Sequence, residues 1–280
     1  NMCDQVFAPS ESIHDILTTR GVQVPIEVVP TGVDIDEFSQ GSGLGFRDML
    51  GIDKNAFVVG HLGRLAPEKN LTYLSEAVVK FMKNEPRAHF LLVGKGNSER
   101  ALRQSFELAG LTPRLHHIGF LEQPFLSSAY QAMDVFVFSS QSETQGMVLT
   151  EAMAVSTPVI ALDAPGVREV VSDGNNGRLL SCDTTSEEFA DVLQWFFTLS
   201  EEQQHIIRQT ARRTAESYSL ETCAQKALEK YQSLLGKGYV HHHHEHHLWA
   251  DATQMIKAEY YILKGIAKAA VHAIAHDDKK

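Results

Sequence analysis

Residues Phe57–Asn84 read FVVGHLGRLAPEKNLTYLSEAVVKFMKN, and His89–Gly94 read HFLLVG. The apolar run Phe57–Leu62 has the length of a buried strand, and Leu71–Asn84 has the periodicity of a helix, with Asn70 as its N-cap. The second stretch predicts another strand that ends at a glycine. A strand, a helix and a strand in this order are typical of a βαβ unit with parallel strands. This part of the chain therefore predicts an α/β fold.

The alternation of apolar runs and amphipathic stretches continues on both sides of this unit. Further strands are predicted at Asp4–Ala8, Ile26–Pro30, Leu115–Ile118, Val135–Ser139, Pro158–Ala161 and Gly177–Leu180. Further helices are predicted at Ser10–Arg20, Ser98–Ala109, Phe125–Met133, Gly146–Ala154, Val167–Val171, Ser186–Leu199, Glu201–Tyr218 and Ser219–Leu235. The Gly- and Ser-rich segment Gln40–Gly45 predicts a linker. Together these elements predict a Rossmann-like parallel sheet with helices on both faces.

The overall composition excludes several classes of protein. The chain has 280 residues and a formal net charge of −10, which argues against a nucleic-acid partner because such a surface is basic. The three cysteines, Cys3, Cys182 and Cys223, are far apart and predict neither a disulfide framework nor a zinc site. No apolar run reaches about 18 residues and the start does not resemble a signal peptide, so we expect a cytoplasmic protein.

A polar loop, Gly63–Lys69, follows the strand Phe57–Leu62. In it, Arg64 and Lys69 lie five residues apart, on either side of Pro67. Ligands of open parallel sheets bind beyond the carboxyl ends of the strands, and the N-terminus of the next helix favours an anion. The two side chains are therefore placed to hold two phosphates, the arginine through its planar fork and the lysine as a point charge. The alternative is two ordinary solvated cations, and the spacing is not that of a Walker P-loop.

Two glutamates lie at a later strand-to-helix junction, Glu143 in the loop after Val135–Ser139 and Glu151 inside the helix Gly146–Ala154. Eight helical residues span about 12 Å, whereas the two carboxyls of a glycosidase lie about 5–10 Å apart. The pair is therefore better placed to hold two ends of one long ligand than to share an acid–base step. The amides of Thr144–Met147 form a helix N-terminus that favours a second anion. The alternative is structural: a helix-start acid and a half-buried glutamate.

Five segments, kept in order, resemble the retaining GT-B glycosyltransferases of family 4. They are HLGRLAPEKN at His61–Asn70, LLVGKG at Leu91–Gly96, HHIGFL at His116–Leu121, SSQSETQGMVLTEAMA at Ser139–Ala154 and TPVIALDAPGVREVVSDGNNGRLL at Thr157–Leu180. The opening segments FAPSESIHDIL and VVPTGVDIDEF resemble the end of that family's N-terminal domain and the crossing to the next domain. The resemblance covers about residues 1–235, and its most specific part is the E-x7-E spacing together with the Arg and Lys of the first segment. It implies the C-terminal, donor-binding domain of a GT-B fold.

The resemblance implies a role for each matching residue in binding a UDP- or GDP-sugar, with no metal or other cofactor. Arg64 and Lys69 would bind the diphosphate and stabilise the leaving group, and with Glu143 they are the predicted catalytic residues. Glu143 would hold the sugar hydroxyls, Glu151 the ribose, and Ile118 the base through its backbone. The predicted donor site consists of Gly63, Arg64, Lys69, Ile118, Glu143, Thr144, Gln145, Gly146, Met147 and Glu151.

Two departures from the family pattern bear on the acceptor and on one turn. Thr144-Gln145 stands where the family more often has Gly-Phe, and this variant resembles bacterial members that glycosylate lipids, such as diacylglycerol glucosyltransferases. Ser156-Thr157 replaces the usual glycine before Pro158, which puts the local turn geometry in question. The implied reaction is transfer of a hexose to a lipid or glycan acceptor.

The resemblance also predicts how the chain is divided. Residues 1–40 would end the N-terminal domain, 41–236 would form the nucleotide-sugar domain and 237–280 a helical tail. The sequence begins abruptly at Asn1, so we expect a fragment whose missing N-terminal domain supplies the acceptor contacts. Such a fragment would bind a nucleotide but be inactive in transfer. A non-catalytic nucleotide-sugar module and a nucleotide-sugar epimerase of the same fold are the alternatives.

The tail differs in composition from the rest of the chain. His241–His247 is almost all histidine, which is typical of a metal-binding tract or of a low-complexity or artificial tail. The Lys- and Ala-rich stretch Asp251–His276 predicts an amphipathic helix. Its apolar stripe fits either an anionic membrane surface, which would give peripheral contact with the inner face of the membrane, or the missing domain.

Overall fold

The computed structural model describes residues 3–236, and their first elements form a small parallel βαβ unit. In it, β1 (Val6–Ala8) pairs with β2 (Ile26–Val28), and α1 (Glu11–Thr19) connects them. Ser10 caps α1, because its hydroxyl accepts a hydrogen bond from the amide of Ile13. The strand–helix–strand order predicted for this segment is confirmed.

A six-stranded sheet forms the centre of the described structure. Its strands are β3 (Phe57–Leu62), β4 (Ala88–Val93), β5 (Leu115–Ile118), β6 (Val135–Phe138), β7 (Val159–Leu162) and β8 (Gly177–Leu180). They lie in the order β5-β4-β3-β6-β7-β8, and every neighbouring pair is parallel. The chain builds outward from β3 to one edge and then returns to build the other half from β6. The predicted Rossmann-like sheet is confirmed, and its order reverses between β3 and β6.

Helices cover both faces of this sheet. They are α2 (Ile35–Ser39), α3 (Gly43–Met49), α4 (Leu71–Asn84), α5 (Glu99–Leu108), α6 (Phe125–Gln131), α7 (Met147–Ala154), α8 (Ser186–Thr198), α9 (Glu201–Ser217) and α10 (Leu220–Gly236). Successive strand residues point to opposite faces, so the strands contribute to two cores. Val58 and Phe136 pack with α7 and α9, whereas Val59 and Val137 pack with α4 and α8.

Two local predictions are wrong, and a third is confirmed for the position of the residue but not for a side-chain bond. The predicted linker Gln40–Gly45 is partly helical, because Ser42 accepts a hydrogen bond from the amide of Gly45 and thereby starts α3. The predicted helix Val167–Val171 is a series of turns. Asn70 is the N-cap residue of α4, as predicted, but its side chain makes no capping hydrogen bond, and its backbone adopts the left-handed conformation at φ +53°.

A buried arginine explains why the segment predicted as a linker is ordered. Arg47 of α3 is 7% exposed; its Nε donates to the carbonyl of Ala132 at 2.8 Å. Its guanidinium also pairs with Asp134 at 2.8 Å, and the same carboxylate accepts from the amide of Val58 at 2.7 Å. The buried charge is thus paired and hydrogen-bonded, as burial requires. This network joins α3 to the starts of β3 and β6.

The predictions for the tail fall on other residues. The helical tail at 237–280, with the tract His241–His247 and the stretch Asp251–His276, lies outside the described residues. Between residues 3 and 236, no helix is both long and apolar enough to cross a membrane.

Candidate active site

A cleft of about 430 Å³ opens at the carboxyl ends of β3 and β6. These are the two strands between which the order of the sheet reverses, the position where open α/β sheets bind ligands. Of the predicted donor-site residues, the structure brings together Gly63, Arg64, Lys69, Glu143, Thr144, Gln145, Gly146 and Met147 as lining of this cleft. Ile118 and Glu151 do not line it.

The two cations of the cleft differ in their surroundings. The Lys69 side chain is 16% exposed, forms an ion pair with Glu143 and lies 5.7 Å above the ring of Phe138. The Arg64 side chain is 72% exposed and pairs with Glu68. Lys69 is therefore a paired and largely desolvated charge, whereas Arg64 is a paired charge exposed to solvent at the rim of the cleft.

Hydrogen bonds between two loops fix the backbone that carries Lys69. The Ser139 hydroxyl donates to the carbonyl of Lys69 at 2.8 Å, and the amide of Gln141 donates to the carbonyl of Glu68 at 3.1 Å. The loop after β6 thus holds the loop after β3. This contact brings the cation of one loop to the carboxylate Glu143 of the other.

At the carboxyl ends of β3 and β4, the two backbones pack so closely that Gly94 has no room for a side chain. Gly94, directly after β4, has φ +137°, and a Cβ there would overlap the carbonyl oxygen of Gly63. The Gly94 amide donates to the carbonyl of Ile118 at 2.9 Å. That carbonyl, part of the backbone predicted to contact a base, is therefore already hydrogen-bonded within the sheet.

The loop between β6 and α7 presents backbone amides to the cleft. Gly146 has φ +70° and precedes α7 directly, and no side chain caps that helix. Glycine adopts this conformation without strain. The first amides of α7 remain available for an anion, since helix N-terminal N–H groups lack intrahelical partners.

Glu151 lies on α7 away from this lining. The hydroxyl of Tyr130, which is fully buried, donates to one of its carboxylate oxygens at 2.7 Å. Burial raises the pKa of Glu151, although the hydrogen bond from Tyr130 acts in the opposite direction. Tyr130 therefore holds one oxygen of Glu151 in a fixed position.

His61 is a residue of the cleft that the sequence analysis missed. Its ring is fully buried and stacks on Phe136 and Phe138, with centroids 5.9 and 6.0 Å away. Nδ1 lies 2.9 Å from the carbonyl of Val137, so Nδ1 carries the proton and donates, and Nε2 has no partner. Burial, and to a lesser extent the charge of Lys69, lower the pKa of His61 to about 4. The one signal in the sequence is a polar residue inside an apolar strand.

The buried neutral ring of His61 predicts that acid destabilises the fold. On unfolding, its pKa returns to about 6.5, so between pH 6.5 and 4 the unfolded chain binds more protons than the folded chain. The contribution of His61 to the free energy of unfolding is fully present above pH 6.5. It falls by about 3 kcal/mol in total as the pH is lowered to 4. Free energies of unfolding in urea at pH 7 and pH 4.5 measure this loss.

The variant His61→Phe isolates this contribution because it keeps an aromatic ring and removes the titrating group. We expect its loss of stability between the two pH values to be smaller than that of the wild type by about 2 kcal/mol. His205→Phe, at an exposed position on α9, should follow the wild type. Equal losses in the wild type and in His61→Phe would contradict the prediction.

In residues 3–236, no three His, Cys, Asp or Glu side chains come together in the way that a metal ion requires.

Comparison with known proteins identifies the family. Residues 46–213, more than half of the chain, match the sequence model of the family described as glycosyl transferases group 1. An alpha-monoglucosyldiacylglycerol synthase from Acholeplasma laidlawii is 29% identical over 180 residues, covering 62% of this chain and 45% of the relative. A D-inositol 3-phosphate glycosyltransferase from Actinosynnema mirum is 33% identical over 202 residues, covering 68% of this chain and 48% of the relative.

A solved structure supports the same assignment. Anabaena Alr3699/HepE, crystallised with UDP and glucose, superimposes with a TM-score of 0.74 at 26% identity, covering 82% of this chain and 64% of that one. The chain spans less than half the length of the two relatives named above. The family match includes the whole six-stranded sheet and both loops that carry the charges of the cleft. The chain therefore belongs to the glycosyl transferases group 1 family.

Proposed function

We propose that this chain is the donor-binding half of a retaining GT-B glycosyltransferase of family 4. Such an enzyme transfers a sugar from a nucleoside diphosphate sugar to a lipid or glycan acceptor. The observation that carries the proposal is the cleft at the point where the strand order reverses, in which the largely buried pair Lys69–Glu143 lies beside Arg64 and the start of α7. A cation for phosphate and a carboxylate for hydroxyls are the two groups that a sugar diphosphate requires.

Each residue then has a distinct role along the donor. Arg64 and Lys69 bind the diphosphate and stabilise the charge that develops on it as the sugar leaves, without a metal ion. Glu143 accepts hydrogen bonds from the sugar hydroxyls. The amides of residues 144–147 and the backbone of Gly63 contact sugar and phosphate. Glu151 holds the ribose, and the backbone near Ile118 contacts the base.

The relatives favour particular substrates. UDP is the favoured nucleotide because the Anabaena structure contains UDP. A lipid is the favoured acceptor because the A. laidlawii relative is named alpha-monoglucosyldiacylglycerol synthase, and because Thr144-Gln145 resembles the lipid-glycosylating members of the family. We propose that the enzyme acts in the cytoplasm, in peripheral contact with the inner face of the membrane.

Because this chain is proposed to bind the donor, the proposed transfer requires a second domain that binds the acceptor. Residues 1–40 would end the N-terminal domain and cross to the donor domain at 41–236, with 237–280 as a tail. The acceptor would be bound mainly by the preceding domain. A second candidate function is a non-catalytic nucleotide-sugar binding module with the same cleft.

Calorimetric titration with UDP, GDP and ADP tests the proposal. We expect UDP to bind with the highest affinity, and failure of all three to bind at millimolar concentrations would overturn the proposal. Incubation with a radiolabelled UDP-sugar then separates the two functions. The protein incubated also carries the proposed N-terminal domain, because the donor-binding half alone is expected to bind without turnover. In that protein, release or transfer of the sugar identifies an enzyme, and binding without turnover identifies a binding module.

The substitution Arg64→Ala tests the assignment of the diphosphate. We expect it to weaken UDP binding about tenfold, since a hydrogen bond to a charged group contributes about 1.5–3 kcal/mol, and to leave uridine binding unchanged. Calorimetry with both ligands measures the difference. The control is Arg87→Ala, which removes an exposed arginine immediately before β4, at the opposite edge of the sheet. Equal losses for UDP and uridine in Arg64→Ala would contradict the assignment.

A further inference from the structure

Gln145 lines the cleft, and its side chain is hydrogen-bonded to Thr31, which also lines it. Its Nε2 donates to the carbonyl of Thr31 at 2.6 Å, and its Oε1 accepts from the amide of Thr31 at 2.7 Å. Gln145 is 3% exposed, so water does not compete for these bonds. All of the polar atoms of the side chain are thus engaged with one residue that lies 114 positions away in the sequence.

The neighbouring residue is bound to the same part of the chain. The carbonyl of Thr144 accepts a hydrogen bond at 2.6 Å from the hydroxyl of Ser10, which is 4% exposed and also caps α1. Two consecutive residues of the cleft loop are therefore tied to the segment between β1 and α2. We refer to the four residues Ser10, Thr31, Thr144 and Gln145 as the loop clamp.

The loop also packs closely against a turn on the side opposite Thr31. Gly166 has φ +77°, and a Cβ there would lie 2.9 Å from the amide nitrogen of Gln145 and 3.0 Å from the Cβ of Glu143. The loop is therefore held between the turn at Gly166 on one side and Thr31 on the other. Its one charged residue, Glu143, is held in turn by Lys69.

We propose that Gln145 is a positioning residue for the sugar of the donor, acting through the loop clamp. Its two hydrogen bonds to Thr31 set the place of Glu143 and of the amides that precede α7. This inference rests on the proposed function. Because the clamp joins the end of the loop to residues 10–31, a displacement of that segment moves the sugar end of the cleft. The backbone of Lys69 is held instead by Ser139, at the start of the loop.

The variant Gln145→Met tests the proposal because it keeps the length of the side chain and removes both hydrogen bonds. We expect the affinity for UDP-glucose, measured by calorimetry, to fall at least about tenfold, and the affinity for UDP to fall about threefold or less. A purely structural role would lower both equally. Faster hydrogen exchange at the Thr31 amide reports directly that the bond has been lost.

A matched control is Gln131→Met, since Gln131 also ties two elements together by donating to the carbonyl of Phe38 at 3.0 Å, outside the cleft. It should leave the ratio of the two affinities unchanged. Ser10→Ala provides a second variant if Gln145→Met does not fold. It removes the bond to Thr144 together with the capping bond from the amide of Ile13, and it should lower the same ratio by about threefold.

The outcomes distinguish the two proposals. If the wild type binds neither UDP nor UDP-glucose, the proposed function fails. If the wild type binds both, and the clamp variants bind UDP-glucose as the wild type does or lose both ligands equally, the clamp has no positioning role and the proposed function stands.

Discussion

Replacing Lys69 with alanine is expected to weaken UDP binding about 100-fold, equivalent to about 2.7 kcal/mol. The side chain is 16% exposed and lies against the ring of Phe138, so its charge acts in surroundings with little water. The substitution removes a charge-assisted hydrogen bond. It also leaves Glu143 without its partner, so that a carboxylate faces the entering diphosphate. Titration calorimetry with UDP measures the loss.

Lys80→Ala is the matched control, because this lysine is 44% exposed and pairs with Glu187 on α8. It changes the net charge equally and should leave UDP binding unchanged. The double variant Lys69→Ala/Glu143→Ala should recover part of the lost affinity, since it removes the unpaired carboxylate. A Lys69→Ala protein that binds UDP as tightly as the wild type would contradict the assignment of Lys69 to the diphosphate.

Gly94→Ala is expected to lower the free energy of unfolding by about 3 kcal/mol. The residue has φ +137°, which strains any residue with a Cβ, and the new Cβ would overlap the carbonyl oxygen of Gly63. The overlap forces β3 and β4 apart at the edge that forms the cleft. Urea denaturation measures the change in stability, and UDP binding should weaken at the same time because Gly63 lines the cleft.

Gly51→Ala separates backbone strain from overlap. Gly51 has φ +68°, and a Cβ there would have no neighbouring atom within 4 Å. Gly51→Ala should therefore lower the free energy of unfolding by only about 1 kcal/mol, the usual cost of placing alanine in the left-handed backbone conformation. If the two alanine variants lose the same stability, the close approach of Gly94 to Gly63 is not the cause.

The sheet could be predicted from the sequence, whereas two short helices could not. Each central strand is a continuous apolar run, such as Val135–Phe138, and both of its faces are buried. Helices α2 and α3 are too short for a periodic pattern. Their order depends on tertiary contacts, namely the buried rings of Phe38 and Phe46 and the hydrogen bonds of Arg47.

The same holds for the site: the loops that follow the strands could be predicted, whereas contacts between residues far apart in the sequence could not. Gly63–Lys69 and Glu143–Met147 follow strands that end at one edge of the sheet, so their convergence could be predicted from the fold class. His61 could not, because a histidine in an apolar strand has the same local pattern whether it is a satisfied core residue or part of a cleft. The bond from Gln145 to Thr31 joins residues 114 positions apart, and no spacing rule relates them.

Both cations of the cleft are paired with carboxylates, Lys69 with Glu143 and Arg64 with Glu68. When the proposed diphosphate binds, each cation exchanges one anionic partner for another, so the net gain in free energy is only the difference between two ion pairs. Inorganic phosphate brings no contacts from a sugar or a nucleoside, so it gains little from this exchange. A complete donor adds those contacts and provides hydroxyls for the carboxylate that it displaces. Under the proposed function, the charge balance of the cleft thus selects against inorganic phosphate and in favour of the whole nucleotide sugar.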